Sequence, residues 1–137
     1  MSMKASIDIE FSRPVEPKKI FLSLIDSGWG VDFQGEVMFL DAFDREGYDW
    51  QVKSIENFDL DEFIESHCPS DRIGISMVFE EAYGGEFLIF ESWVSFSMSV
   101  NKVFLSNDVP DFSFYLERLS SVIEGFNVSV LKCECSF

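Results

Sequence analysis

From Val94 to Val100 the chain alternates strictly, with Val94, Phe96, Met98 and Val100 on one side and Ser95, Ser97 and Ser99 on the other. A period of two sends successive side chains to opposite faces of an extended chain, so this segment has one dry face and one wet face. Ala5, Ile7, Ile9 and Phe11 alternate with Ser6, Asp8 and Glu10 in the same way. So do Ile73, Ile75, Met77 and Phe79 with Gly74, Ser76 and Val78. Such strands fit a sheet with a single covered face. The return segment Glu86–Ser92 is apolar on both faces through Phe87–Phe90 and belongs at the centre of that sheet. Tyr83-Gly84-Gly85 reads as the hairpin turn before it.

Three segments carry helical periodicity instead. Pro14 and Pro17 suit the start of a helix, in which Ile20, Phe21, Leu24 and Ile25 make one apolar face and Gly28 the stop. Asp59 or Asn57 can cap a short helix over Leu60–Ser66, with Leu60, Phe63 and Ile64 inward and Pro69 beyond its end. Phe112, Tyr115, Leu116, Leu119, Val122 and Ile123 predict one helix from about Pro110 to Glu124. Short strands near Trp29–Phe33, Glu36–Leu40 and Tyr48–Ile55, and a last one over Asn127–Phe137, complete the order β-α-β-β-β-α-β-β-β-α-β. Neighbouring strands joined by tight turns imply an α+β fold: a single, mostly antiparallel sheet with about three helices packed on one face.

The 137 residues make one domain, 1–137, large enough to bury a core without metals or disulfides. No N-terminal apolar run is long enough for a signal peptide, and no stretch approaches the ~18 residues of a membrane span, so a cytosolic protein is expected. The three cysteines, Cys68, Cys133 and Cys135, have neither zinc-type nor C-x-x-C spacing and are expected as buried or half-buried free thiols.

The formal charge is −15, with 25 acidic residues against 10 basic ones, on a composition that is 47% hydrophobic and includes 16 phenylalanines. Disordered acidic tails are poor in apolar residues, so this charge sits on a folded domain, where self-repulsion adds nothing to stability. Solubility asks for a net charge of only about 2–8 in magnitude. The excess points to a basic partner and away from nucleic acid and anionic membranes, which recruit lysine and arginine. The acid is concentrated. Asp41, Asp44, Glu46, Asp49, Glu56, Asp59, Asp61, Glu62 and Glu65 are opposed by Arg45 and Lys53 alone, and Glu80, Glu81, Glu86 and Glu91 form a second run.

Known chemistries fit poorly. Asp41–Asp49 looks like a calcium loop, but with Gly47 at the obligatory glycine position the first and last ligands would be Ala42 and Lys53. The chain has no phosphate-binding glycine loop, no G-x-S-x-G and no H-E-x-x-H. His67 and Cys68 are sequence neighbours, which point apart, and His67 reads as a helix-end residue favourable to the helix dipole. No cofactor, metal or catalytic residue is expected. A docking surface fits better, because Phe33, Phe43, Tyr48, Trp50 and Phe58 are interleaved with the acids, and aromatic anchors with complementary charge make protein interfaces. The expected partner-binding residues are Asp41, Phe43, Asp44, Glu46, Tyr48 and Asp49, with Asp59, Asp61, Glu62 and Glu65 as a second candidate surface.

In size, acidity and lack of catalytic motifs, with the opening Ser6–Phe11 strand, the proline-led helix to Gly28-Trp29 and the Asp49-Trp50 strand, the chain resembles the immunity proteins of bacterial toxin systems, including contact-dependent growth inhibition. The resemblance implies a cytosolic inhibitor, not an enzyme, that binds one cognate basic toxin, often a nuclease. It names no site residues, since each immunity protein matches its own toxin. Acidic secretion chaperones, which bind an effector segment, are also similar in size and charge, but they usually open with a helix where this chain opens with a strand.

Overall fold

The computed structural model describes residues 3–44, 47–106 and 109–137. The chain runs β1 (Lys4–Phe11), α1 (Pro17–Asp26), β2 (Trp29–Gly30), β3 (Glu36–Phe39), β4 (Gln51–Ser54), a 3-10 turn (Ile55–Asn57) and α2 (Leu60–Glu65). It continues through β5 (Ile73–Phe79), β6 (Tyr83–Ile89), β7 (Trp93–Val100), the small β8–β9 ribbon (Phe104–Ser106, Val109–Pro110), α3 (Phe112–Arg118), α4 (Ser120–Gly125) and β10 (Val128–Ser136). The main sheet has the order β10-β1-β7-β6-β5-β3-β4, with β2 also pairing β5, and every pairing is antiparallel. Among the described residues no helix is long and apolar enough to cross a membrane.

The period-two pattern sets which face is dry. Ile7 pairs with Phe96, Phe96 with Phe87 and Phe87 with Ile75, so one apolar row crosses the four central strands. All four side chains are fully buried. α1 packs Ile20, Phe21 and Leu24 onto this face, α3 contributes Tyr115 and α4 contributes Val122. The opposite face carries Ser6, Asp8, Ser97 and Ser99 and stays largely polar. Gly28 ends the first helical segment at φ +109°, a conformation that glycine adopts without strain.

Several expectations change. The turn before β6 lies at Glu80–Ala82, with Glu80 and Glu81 at φ 56° and 59°. Gly84 and Gly85 are instead inside the strand, where only glycine fits, because a Cβ there would run into the carbonyl oxygens of Met77 and Ser97. The helix expected over 110–124 breaks at Leu119 into α3 and α4. The Trp29 indole Nε1 donates to the Arg118 carbonyl at 2.8 Å, and the Val122 amide turns to Leu119 at 3.0 Å. One carbonyl is thus drawn out of the helical ladder by a side chain from β2. The expected strands at 29–33 and 48–55 shorten to Trp29–Gly30 and Gln51–Ser54.

The cysteines are free thiols, but Cys68 and Cys133 are exposed and only Cys135 is half-buried. Cys68 lies in the turn after α2, and Cys133 lies on an edge strand that no helix covers.

Candidate functional site

The candidate site is built where β3 leaves the sheet. Leu40 is buried, and its amide donates to the Gly74 carbonyl at 2.8 Å, which pins the start of the 41–50 loop to β5. The loop is then shaped by its own acids. Asp41 Oδ1 accepts the Phe43 amide at 2.9 Å. The Asp44 carboxylate accepts the amides of Gly47 at 3.0 Å and Asp49 at 2.9 Å. Aspartates favour such loops because a short carboxylate can take backbone donors that no strand or helix satisfies. Arg72 ties the loop down by donating to the carbonyls of Asp44 and Gly47, and its guanidinium lies 5.0 Å from the Tyr48 ring.

α2 supplies the other wall. Asp59 caps it by accepting the Glu62 amide at 3.1 Å; of the two caps open in the sequence, Asp59 is the one used. Beneath lie Phe39, Phe58 and Phe63, with ring centroids 5.2, 5.7 and 5.4 Å apart. A depression of about 150 Å³ opens over this triad and is lined by Asp41, Phe43, Lys53, Asp59 and Glu62. A second, of about 240 Å³, is lined by Asp41, Asp44, Asp49, Gln51 and Lys53. Asp41 and Lys53 border both, so the two acidic segments treated as separate surfaces in the sequence share one rim.

Phe43 stands 80% exposed at that rim and Tyr48 is 59% exposed. Asp41, Asp49, Asp59, Asp61, Glu62 and Glu65 are exposed and Asp44 is half-buried. Glu46 lies outside the described residues. Of the other aromatics, Phe33 and Trp50 are half-buried and Phe58 is spent in the triad. Among the described residues the ion pairs are Lys19–Glu16, Arg118–Glu80 and Lys132–Glu134, and none takes an acid of this site. Sequence reading missed the central place of Lys53, whose Nζ sits 5.9 Å from the Phe39 ring centroid. Its only signal was to be the one base of β4, lying in sequence between the two acidic segments.

The second acidic run does not form a surface. Glu80 and Glu81 occupy the β5–β6 turn and Glu80 pairs with Arg118. Glu86 accepts from Ser99 on the open face of the sheet. Glu91 lies in the turn at the far end of β6, more than roughly 20 Å along the strand from Glu80.

His67 is not an exposed helix-end charge. It is 2% exposed, packs edge-on to Phe63 at 4.7 Å, and its Nδ1 donates to the Phe63 carbonyl at 2.7 Å, while its Nε2 has no partner among the described residues. Burial holds its pKa below the ordinary value, outweighing the Phe63 carbonyl and the nearby Asp71 and Asp41. Neutral imidazole supports the floor of the site and gains nothing from a helix dipole. Cys68, the next residue, faces solvent.

The arrangement offers negative potential, an apolar floor and a protruding aromatic ring, which together suit a basic protein surface. No protein-family model, curated protein or solved structure matches the chain.

Proposed function

We propose that this chain binds and neutralises a basic toxin domain, in the manner of an immunity protein, through the acidic end formed by the 41–50 loop, β4 and α2. One observation carries the reading: two acidic segments, separated by a β-strand and a turn in sequence, converge on one aromatic-floored depression with Phe43 at its rim. These carboxylates, none of which is in an ion pair among the described residues, attract a cationic surface from beyond contact distance and speed its capture, most strongly at low salt. Phe43 then supplies directional grip, since burying a phenylalanine side chain contributes about 1.5–3 kcal/mol. A nuclease concentrates positive potential in its substrate cleft, so this end of the chain occludes the cleft and inhibition follows from stoichiometric occupancy, without turnover.

The test is calorimetric titration against a basic toxin domain, sought in the reading frames that flank this chain's gene. Asp61, Glu62 and Glu65 are exposed, and reversing all three to lysine alters the field while sparing the loop's internal hydrogen bonds. Binding should weaken more than tenfold at low salt, about 1.4 kcal/mol, with the gap narrowing as salt rises. The same reversal at Glu81, Glu91 and Glu124, which are exposed elsewhere, should change little. The reading is wrong if the second triple abolishes binding and the first does not, or if the purified protein shows catalytic turnover.

A further inference from the structure

β10 is an open edge of nine residues, whereas the other edge, β4, has four. The pairing along β1 shows which backbone groups of β10 are unused. The Phe11 amide donates to Ser92 and the Ser12 amide to Asn127, so odd-numbered residues of β1 bond toward β7 and even-numbered ones toward β10. Asp8 therefore exchanges its bonds with Lys132, and Ser6 with Glu134. The residues between them, Leu131, Cys133 and Cys135, turn both N–H and C=O away from the sheet, and among the described residues no strand receives them. Their side chains lie on the helix-bearing face, beyond the helices, where Leu131 is 42% exposed. Proteins blunt such edges with charged side chains, proline, bulges or short strands, and of these β10 has only Lys132 and Glu134, which already pair with each other. Here the one irregularity in the β1–β10 pairing falls beside Glu10 and Phe11, which leaves 130–136 regular.

We infer that β10 pairs antiparallel with β10 of a second copy, about a two-fold axis at Cys133, to make one continuous sheet. That register joins outward backbone groups to outward backbone groups and sets Leu131 beside Cys135 of the second copy. It also places Lys132 opposite Glu134 of the second copy, and Glu134 opposite its Lys132, on the open face where the two already pair within one chain at 2.8 Å. Opposite charges directly across strands stabilise a sheet and like charges destabilise it. Registers centred on Lys132 or on Glu134 set like charges face to face.

The net charge of −15 argues against self-association at most surfaces, but not at this one. β10 carries one base and one acid. The acidic end borders β3 and β4, six strand spacings away, or about 29 Å. Pairing at β10 puts the two acidic ends at opposite extremes of the joined sheet, well beyond a Debye length of about 8 Å. Both docking sites stay open, so the inference stands whatever those sites bind.

The experiment is analytical ultracentrifugation across a micromolar-to-millimolar dilution series, with amide hydrogen exchange on the same samples. A dimer is expected, with the amides of Leu131, Cys133 and Cys135 gaining protection as concentration rises. Glu134→Lys should raise the dimer dissociation constant at least tenfold. The charge swap Lys132→Glu with Glu134→Lys should restore it, which no effect on folding alone would do. Cys133→Pro removes an outward amide that has no partner among the described residues and should yield a monomer with a native circular dichroism spectrum. A chain monomeric throughout the series overturns the inference and leaves the edge to another protein's strand. A dimer indifferent to all three variants overturns it as well, since it would use another face.

Discussion

Leu40 and Gly74 hold the site loop to the sheet, and their fit can be measured. Leu40 is 1% exposed but stands apart from the main core cluster. A Cβ built on Gly74 would meet Leu40 Cγ at 2.8 Å and Cβ at 3.1 Å, with Cδ1 closer still. Gly74→Ala therefore overpacks a strand position whose backbone tolerates alanine, and should destabilise by about 1–3 kcal/mol. Leu40→Ala removes a fully buried side chain, roughly 2.4 kcal/mol from three carbons at about 0.8 each, plus a cavity term, within the usual range of about 2–5 kcal/mol. The two changes should not add. With Leu40 truncated, the new methyl at position 74 enters vacated space, so the second step should be neutral or favourable. The coupling energy should be at least about 1 kcal/mol. Urea unfolding of the four proteins in the cycle reads this as shifts in midpoint at constant slope. Additive losses, or a Gly74→Ala variant as stable as the parent, would refute the close packing of the loop anchor.

Asp44→Ala should free the Gly47 and Asp49 amides, raise hydrogen exchange at both and, if the proposed function holds, weaken binding of the basic partner through loss of loop order; unchanged exchange at both would show that the carboxylate does not shape the loop. The pH dependence of stability should carry the His67 signature. Its folded pKa lies below the unfolded value, so its burial is fully compatible with folding above about pH 6.5 and opposes it as the pH falls through the folded value. The urea midpoint should therefore drop from pH 7 toward pH 5, and His67→Gln should flatten that fall; an equal slope in both proteins would rule His67 out as its source.

Local pattern made much of the fold readable. The faces of β1, β5 and β7, the central place of β6, and α1 with its proline start and glycine stop follow from side-chain period and from a few residues with restricted backbones. The pattern failed where a distant group intervened. Gly84 and Gly85 look like turn residues, yet their missing side chains admit the carbonyls of neighbouring strands. The periodicity of 110–124 is continuous, yet an indole from β2 interrupts it at Arg118. At the site, the density of acid in 41–65 marked two segments that the fold brings to one rim. Nothing in the sequence showed that Asp44 and Asp41 are also structural acceptors, nor that Glu80 to Glu91 would scatter along a hairpin.

By itself the sequence determined which segments are extended or helical, which side of each is dry, and that the domain bears a large negative charge. These are properties of near neighbours along the chain, where periodicity and backbone restriction act. Only the tertiary structure decided that β1 sits between β7 and β10, that β10 is left as an open edge, and that Asp41 meets Asp59 and Glu62 over Phe39. Strand order follows from how all the apolar faces close over one core at once, which no single segment encodes. Exposed carboxylates are solvated equally well in many places and carry no periodic signal, so their convergence is settled by the chain that folds beneath them.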